Sequence, residues 1–345
     1  MITVAIDAEH TRQTAARTAR MTRSLIDALN QRSDIETIVL GGGPVLERGT
    51  LAKRLNTARQ DFFWYPFSGR RHAAAAGANV YHCPTPRAPL TRGKPPLVVT
   101  VHDMVPLLFP DTMTPWSRIY GRATMKRVLA AADIITVPSN DTANDLTRLT
   151  GFDSSRIRVV WNGVDPVFFA APPPRVIEEP YILFVGTPEP RKNLPRLIEA
   201  VSMLRGRGID LRLVIAGGGG WGGVKIALEG VQQVGRVSDQ ELLGLYAHAS
   251  CLALPSLHEG FGLPAAEAMA AGTPVVAGAR GALPEIVGNA GVLVDPYDSG
   301  AIASGIEDAI ANRDQLIAAG KERARQFSWT SAAEAMTAIY REIAA

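Results

Sequence analysis

Short runs of β-branched and aliphatic residues alternate with longer stretches whose apolar positions recur at helical spacing, beginning at the first residues of the chain. Ile2 to Ile6, Thr37 to Leu40, Val98 to Val101, Ile134 to Val137 and Ile157 to Val160 are the short runs of the first half; Thr11 to Leu29, Trp116 to Ala132 and Asn140 to Leu149 carry the helical spacing. Strands separated by helices imply βαβ units and a parallel sheet. The rhythm stops at Ala170, where the consecutive prolines Pro172 to Pro174 favour a stiff, extended linker. It resumes with Tyr181 to Val185, Leu194 to Leu204, Leu211 to Ala216, Asp239 to Ala247, Cys251 to Leu254, Leu263 to Ala271, Pro274 to Ala277 and Val292 to Asp295. Three helical stretches without strands follow, the last from Trp329 to Ile343 with Ser328 as its N-cap. The pattern predicts an α/β chain of two doubly wound domains, over residues 1–170 and 175–327. A terminal helix over 328–345 is expected to pack back on the first domain.

Composition agrees with two ordinary cores: 345 residues, 46% of them hydrophobic, exceed what one domain usually organises. No run of 18 apolar residues occurs, and Met1 to Asp7 reads as a first strand without a positive leader. Cys83 and Cys251 lie in apolar runs far apart, which suits buried, reduced thiols, so the expected compartment is the cytosol. The net charge of +3 hides an asymmetry. Residues 1–170 carry 21 Lys+Arg against 14 Asp+Glu, leaving 15 against 19 for the rest, so the basic half is expected to meet an acidic neighbour.

Doubly wound sheets bind ligands at the carboxyl ends of their strands, so the chemistry is expected just after them. The segment from Leu252 to Val276 holds a strand, a turn with Glu259, the loop Gly260, Phe261, Gly262, then Leu263 and a helix with Pro264 in its first turn. Glycines allow close backbone approach, and the first amides of the helix face whatever sits there, which makes an anion site for a phosphate or diphosphate. Glu259 and Glu267 flank that site, and each carboxylate can accept two hydrogen bonds from a vicinal diol. The arrangement suits a ligand with hydroxyls on either side of its phosphates. Arg191 and Lys192 follow the first strand of the second half, where two cations can neutralise a leaving diphosphate. No Asp-x-Asp and no zinc-ligand spacing occurs, which points to metal-independent chemistry.

The Glu259 to Glu267 stretch, set between a strand and a small-residue helix, resembles the motif of the family 4 retaining glycosyltransferases. Phe184 to Leu194 resembles that family's phosphate-binding turn, His102 and Asp103 after Val98 to Val101 resemble its catalytic loop, and the likeness extends through Val137 to Ser139 and Val160 to Asp165. The resemblance implies the GT-B fold, two Rossmann-like domains facing each other across a cleft. It implies transfer of a hexose, mannose by weight of the family, from a GDP-sugar or UDP-sugar donor to a glycan or lipid-linked acceptor. His102 would then contact the sugar near its reacting carbon, with Asp103 as its orienting partner or as the cap of the next turn. Gly235 to Val237 would touch the base through its backbone. With no evident carboxylate nucleophile, retention implies a same-face displacement in which the departing diphosphate helps deprotonate the acceptor. Two departures stand out: Arg17 to Met21 replaces the glycine-rich loop common in the family, and Gly186-Thr187 replaces a Gly-Arg, leaving Arg191 as the arginine contact.

Two other readings compete. Gly217 to Gly222 satisfies Gly-x-Gly-x-x-Gly with Asp239 about twenty residues on, as in an NAD(P)-dependent oxidoreductase. A noncatalytic sugar-nucleotide binder would keep the same donor site. On a helical wheel Arg12, Arg17, Arg20 and Arg23 share one side and Met21, Leu25, Ile26 and Leu29 the other, while Arg118, Arg122 and Lys126 repeat at helical spacing. These basic faces, rather than any nucleic-acid motif, suggest peripheral contact with an anionic membrane.

Overall fold

A computed structural model describes residues 1–12, 17–43, 51–110, 115–218 and 230–344. It divides into two units, Met1–Leu108 with Met113–Gly163 and Trp329–Ala345, and Phe109–Thr112 with Val164–Ser328. The first unit holds a six-stranded sheet of β1 (Ile2–Asp7), β2 (Ile35–Leu40), β3 (Val80–Cys83), β4 (Leu97–Thr100), β5 (Ile134–Val137) and β6 (Ile157–Val159). All pairings are parallel, in the order 2-1-3-4-5-6. The inner strands, above all β3, β4 and β5, are buried on both faces and read as near-continuous apolar runs, while the edge strands β2 and β6 are partly exposed. The chain reverses its direction of winding between β1 and β3, and such a switch opens a crevice at the carboxyl ends.

The second unit repeats the plan with β7 (Tyr181–Val185), β8 (Arg212–Ala216), β9 (Val231–Gly235), β10 (Cys251–Leu254), β11 (Val275–Gly278) and β12 (Val292–Val294), ordered 12-11-10-7-8-9 and all parallel. Its switch point lies between β7 and β10. Local chemistry fixes the helix ends: Ser139 accepts from the Thr142 amide, and Gly151 in the left-handed region ends the helix Asn140–Thr150. Ser238 and Glu241 form a reciprocal capping box at the start of Asp239–His248.

Several elements escaped the hydrophobic pattern. β3 and β9 were not among the expected strands, the one a short apolar run and the other carrying the polar pair Gln232-Gln233 on the sheet's edge. The helical run from Leu51 to Ala75 also went unmarked, since its apolar residues do not keep one α-helical face. The division between units falls at Gly163 and Val164, ahead of the prolines expected to mark it. The reason is packing: Phe168 is fully buried, edge-on to Tyr246 at 5.8 Å, and the Pro173 carbonyl accepts a hydrogen bond from His248 at 2.9 Å. The proline segment is therefore fastened to the second core.

The terminal helix Trp329–Ala344 belongs to the first unit, where Ala333, Met336, Ile339 and Tyr340 pack with Val4, Ile6, Val80 and Val98. A polar chain crosses this packing. The Tyr340 hydroxyl bonds His82 Nδ1 at 2.8 Å, His82 Nε2 meets the Thr100 hydroxyl at 2.8 Å, and Thr100 meets Thr136 at 2.8 Å. Burial, reinforced by the nearby imidazoles of His102 and His10, lowers the His82 pKa to about 3, so its ring is neutral and offers one donor and one acceptor, both used. Tyr340→Phe leaves a buried nitrogen unpaired and is expected to lower stability by about 1–3 kcal/mol in equilibrium denaturation. A loss too small to measure would show that the chain does not hold this helix in place.

Candidate active site

Past the carboxyl end of β10, the turn from Pro255 to Gly262 leads into the helix Leu263–Ala270. Gly262 sits at φ 91°, a conformation that disfavours any side chain, and no side chain caps the helix behind it. The first-turn amides are thus not taken by a capping residue, and the dipole favours an anion there. Leu263 and Phe261 are buried, the latter edge-on to Phe327 at 5.5 Å, which fixes the loop from below.

The loop after β7 meets this turn. Asn193, in the left-handed region, donates from its side chain to the carbonyls of Pro255 and Pro296 at 3.1 and 2.5 Å, and the Leu257 amide donates to the Arg191 carbonyl at 2.7 Å. The two loops are stitched together by these bonds, which brings both cations onto one carboxylate. Lys192 donates to Glu259 Oε1, as does the Ser256 hydroxyl at 2.7 Å, and Arg191 donates to Glu259 Oε2 at 3.1 Å. Arg191 also reaches the His258 carbonyl at 3.1 Å and Glu189 at 3.0 Å. Burial alone pushes the Glu259 pKa up, but Lys192, then Arg191, and the hydrogen bonds from Lys192 and Ser256 outweigh it and hold the group at about 2. Lys192 is only 5% exposed, so its charge acts with little screening by solvent.

Glu267 does not join this cluster. It is buried on the same helix, and its carboxylate accepts from the Tyr246 hydroxyl at 2.9 Å. Gly235 ends the edge strand β9 at φ 71°, its carbonyl accepts from the Gly217 amide at 2.7 Å, and Val237 follows half-buried. A Cβ on Gly217 would stand 2.1 Å from the Gly186 carbonyl oxygen, so the ends of β7 and β8 can close together only over a glycine. Arg191 and Lys192 therefore lie past the carboxyl end of β7 and the stretch from Glu259 to Glu267 past that of the adjacent β10, while Gly235 and Val237 lie at and just past the end of β9, on the far side of β8. Of the glycine-rich run, residues 219–222 lie outside the described residues, as do residues 223–229 after it.

In the first unit His102 follows β4, half-buried. Its Nε2 bonds the Pro84 carbonyl at 2.9 Å; because a carbonyl only accepts, Nε2 carries the proton and Nδ1 keeps its lone pair. Nδ1 is buried with no hydrogen-bond partner among the described residues. Burial lowers the pKa of the ring, against opposing help from the Pro84 carbonyl and Asp103, so it is neutral at pH 7. His102 lines a cavity of about 40 Å³ with Thr100, Thr136 and Asn162. Asp103 does not orient it: its carboxylate accepts from the Val105 amide at 3.1 Å and caps the turn Val105–Leu108. That is the second of the two roles expected of it.

Sequence reasoning missed the groups around the switch point of the first sheet. Asp7, the last residue of β1, accepts from the Tyr81 hydroxyl at 2.5 Å and Trp64 Nε1 at 2.7 Å, and burial raises its pKa to about 6. His10 bonds the Thr22 hydroxyl at 3.1 Å and is lowered to about 4, mainly by burial. Only the position of Asp7 at a strand end was a usable signal.

The Glu259 cluster makes a pH prediction. A carboxylate whose folded pKa lies below its unfolded value contributes stability that is present above the unfolded value, 4.5, and is lost as pH falls toward about 2. The wild type is expected to lose roughly 3 kcal/mol more than Glu259→Gln between pH 6 and pH 2 in denaturant titrations, from the shift at about 1.4 kcal/mol per unit. Parallel acid limbs would show that the cations do not hold the carboxylate.

The chain is similar to known proteins over both units. A family model described as Glycosyltransferase Family 4 matches residues 18–168, and one described as Glycosyl transferases group 1 matches residues 171–327. The O-antigen chain mannosyltransferase B of Escherichia coli is 31% identical over 257 residues, 67% of this chain and 66% of that protein. A D-inositol 3-phosphate glycosyltransferase of Xylanimonas cellulosilytica is 34% identical over 280 residues, 71% and 66% of the two chains. The chain thus spans slightly under two thirds of the length of these curated relatives. Among solved structures, sucrose-phosphate synthase from Thermosynechococcus elongatus superposes with a TM-score of 0.74 at 20% identity, over 99% of both chains. Anabaena HepE in complex with UDP and glucose gives 0.72 at 16%, over 99% of this chain and 100% of that one. The two six-stranded parallel sheets are those of the GT-B fold, and the chain belongs to the family 4 glycosyltransferases.

Proposed function

We propose that this chain transfers a hexose from a nucleoside diphosphate sugar to a glycan or lipid-linked acceptor, with retention at the anomeric carbon and without a metal. The observation that carries the reading is the joint between the loops after β7 and β10. There Arg191 and Lys192 stand, charged and positioned, on Glu259 at the mouth of a helix that no side chain caps. Charge developing on a departing diphosphate meets cations and amides already in place, so little reorganisation is needed as the bond breaks. The relatives, glycosyltransferases and mannosyltransferases by name, support the same class of reaction, and the UDP in HepE supports a nucleotide donor.

Glu267, oriented by Tyr246, is the hydroxyl acceptor on the ribose side, and the backbone of Gly235 to Val237 meets the base. His102, neutral with a bare Nδ1, accepts a hydrogen bond from a substrate hydroxyl instead of acting as an acid. Glu259 is engaged by two cations and a serine, and Glu267 by a tyrosine, which favours a same-face displacement over attack by either carboxylate. In that route the leaving diphosphate oxygen takes the acceptor proton as the new glycosidic bond forms.

A thermal-shift panel of UDP, GDP, their sugars and NAD(P), with and without a chelator, tests the reading. Stabilisation by one nucleoside diphosphate sugar, unchanged by chelation, is expected; stabilisation by a dinucleotide alone would overturn it. Lys192→Ala is expected to cut turnover by about 100-fold. Glu267→Ala is expected to weaken donor binding by about tenfold or more, as the loss of a charged hydrogen-bond acceptor does. Wild-type kinetics in both variants would remove the assigned site. A chain that binds donor tightly yet neither hydrolyses nor transfers it would be a sugar-nucleotide binder.

A further inference from the structure

Among the described residues of the first unit, the largest concentration of exposed apolar side chains lies on one helical run. Leu51 is 70% exposed, Leu55 61%, Phe62 54%, Phe63 65% and Phe67 59%. Leu51 and Leu55 are one turn apart on the helix Leu51–Arg59, and the run then widens into a π-helical stretch, Gln60–Ser68. In that winding, closed by i→i+5 bonds, Phe67 falls about one turn from both Phe62 and Phe63, whereas an α-helix would keep Phe63 beside it and turn Phe62 away. The wider turn keeps the three phenylalanines together on the outer side.

The opposite side is fastened to the carboxyl end of β1. Trp64 donates to Asp7 at 2.7 Å, Gln60 donates to the Glu9 carbonyl at 3.0 Å, and Asp61 pairs with Arg87 at 3.3 Å. All strands of this sheet are parallel, so the apolar face stands at the same edge as the loop bearing His102 after β4.

Charge decides what covers it. From Leu51 to Ala76 the only acidic residue is Asp61, which is buried, whereas Arg54 and Arg71 are exposed and Arg59, also exposed, is paired with Glu9. A second copy laid on the same face would bring Arg54 and Arg71 near their own images, with no exposed carboxylate of this run between them. Exposed phenylalanines framed by arginines match the boundary of an anionic bilayer, where rings enter the acyl region and guanidinium groups remain with the headgroup phosphates. The basic faces first expected to play this part fit it less well. Arg12 is half-buried and near Glu9, Arg20 is half-buried, Arg23 and Lys126 are exposed but beside no row of exposed apolar side chains among the described residues, and the side chains of Arg17, Arg118 and Arg122 lie outside the described residues.

We propose that the face formed by Leu51, Leu55, Phe62, Phe63 and Phe67, with Arg54 and Arg71, docks on an anionic lipid surface and so presents the carboxyl edge of the first sheet to an acceptor held in that surface. The placement deepens the lipid-linked reading of the acceptor, but vesicle binding is measured without turnover. Its failure therefore leaves sugar transfer standing, and loss of donor binding leaves the docking face standing.

The full chain is sedimented with vesicles of phosphatidylcholine alone and with equal parts of phosphatidylcholine and phosphatidylglycerol. It is expected to pellet with the anionic vesicles, less so as salt rises. Phe63→Ser with Phe67→Ser is expected to weaken binding by about tenfold or more, and Arg54→Glu with Arg71→Glu to abolish the preference for phosphatidylglycerol. Leu55→Ser, also at an exposed site, is the second apolar probe should the double serine variant fail to fold. A wild type that stays in the supernatant at low salt overturns the proposal, as do apolar variants that pellet like wild type. A wild-type dimer in sedimentation velocity that these substitutions dissociate would assign the face to a second copy and overturn it equally.

Discussion

One carboxylate joins the parts of the second unit on which its chemistry depends. Glu259 takes an ammonium, a guanidinium and a hydroxyl at once, and these come from the loops after two different strands. Burying any one of these charges alone would be costly, so the loops are held together by mutual need. The Asn193 side chain, bonded to two carbonyls of neighbouring loops, adds a neutral second tie. Because the joint sits at the switch point between β7 and β10, the sheet itself leaves room in front of it.

The first unit solves a different problem. Its carboxyl edge holds three imidazoles, His10, His82 and His102, whose pKa values are all lowered, mainly by burial. A neutral imidazole is a directional donor and acceptor, and His82 and His102 use that in different ways. His82 ties the terminal helix to the sheet through Tyr340 and Thr100, while His102 spends its proton on the Pro84 carbonyl and keeps a lone pair. Asp7 is the counterpart at the end of β1, a buried carboxyl raised to about 6 that anchors Trp64 and Tyr81. The exposed phenylalanines on the far side of Trp64's helical run are thus carried on a base fixed to the sheet.

Much of the candidate site was legible because glycines and charges after strands have few other uses. The glycine loop at 260–262 and the Arg191-Lys192 pair lie where strand endings placed them, and the structure shows them converging on Glu259. What the spacing left open was the partner of each group. The two glutamates of the motif looked equivalent along the chain, yet one faces cations from another loop and the other a buried tyrosine. Asp103 could have oriented the adjacent imidazole or capped the next turn, and its carboxylate takes the backbone amide two residues on.

The chain by itself determined that there would be two parallel sheets, since the alternation of buried strands and amphipathic helices is a local, repeating signal. It also determined the glycine positions, because Gly262 occupies a backbone region that few side chains tolerate. Tertiary structure alone decided that Phe168 and the prolines after it belong to the second core, that Tyr340 would find His82 across 258 positions, and which side of the Leu51 to Ala75 run faces outward. The physical reason is the same in each case. Periodicity and turn chemistry act over a few residues, whereas burial, and the partner a buried polar group must find, depend on chain segments brought together only when the sheets close.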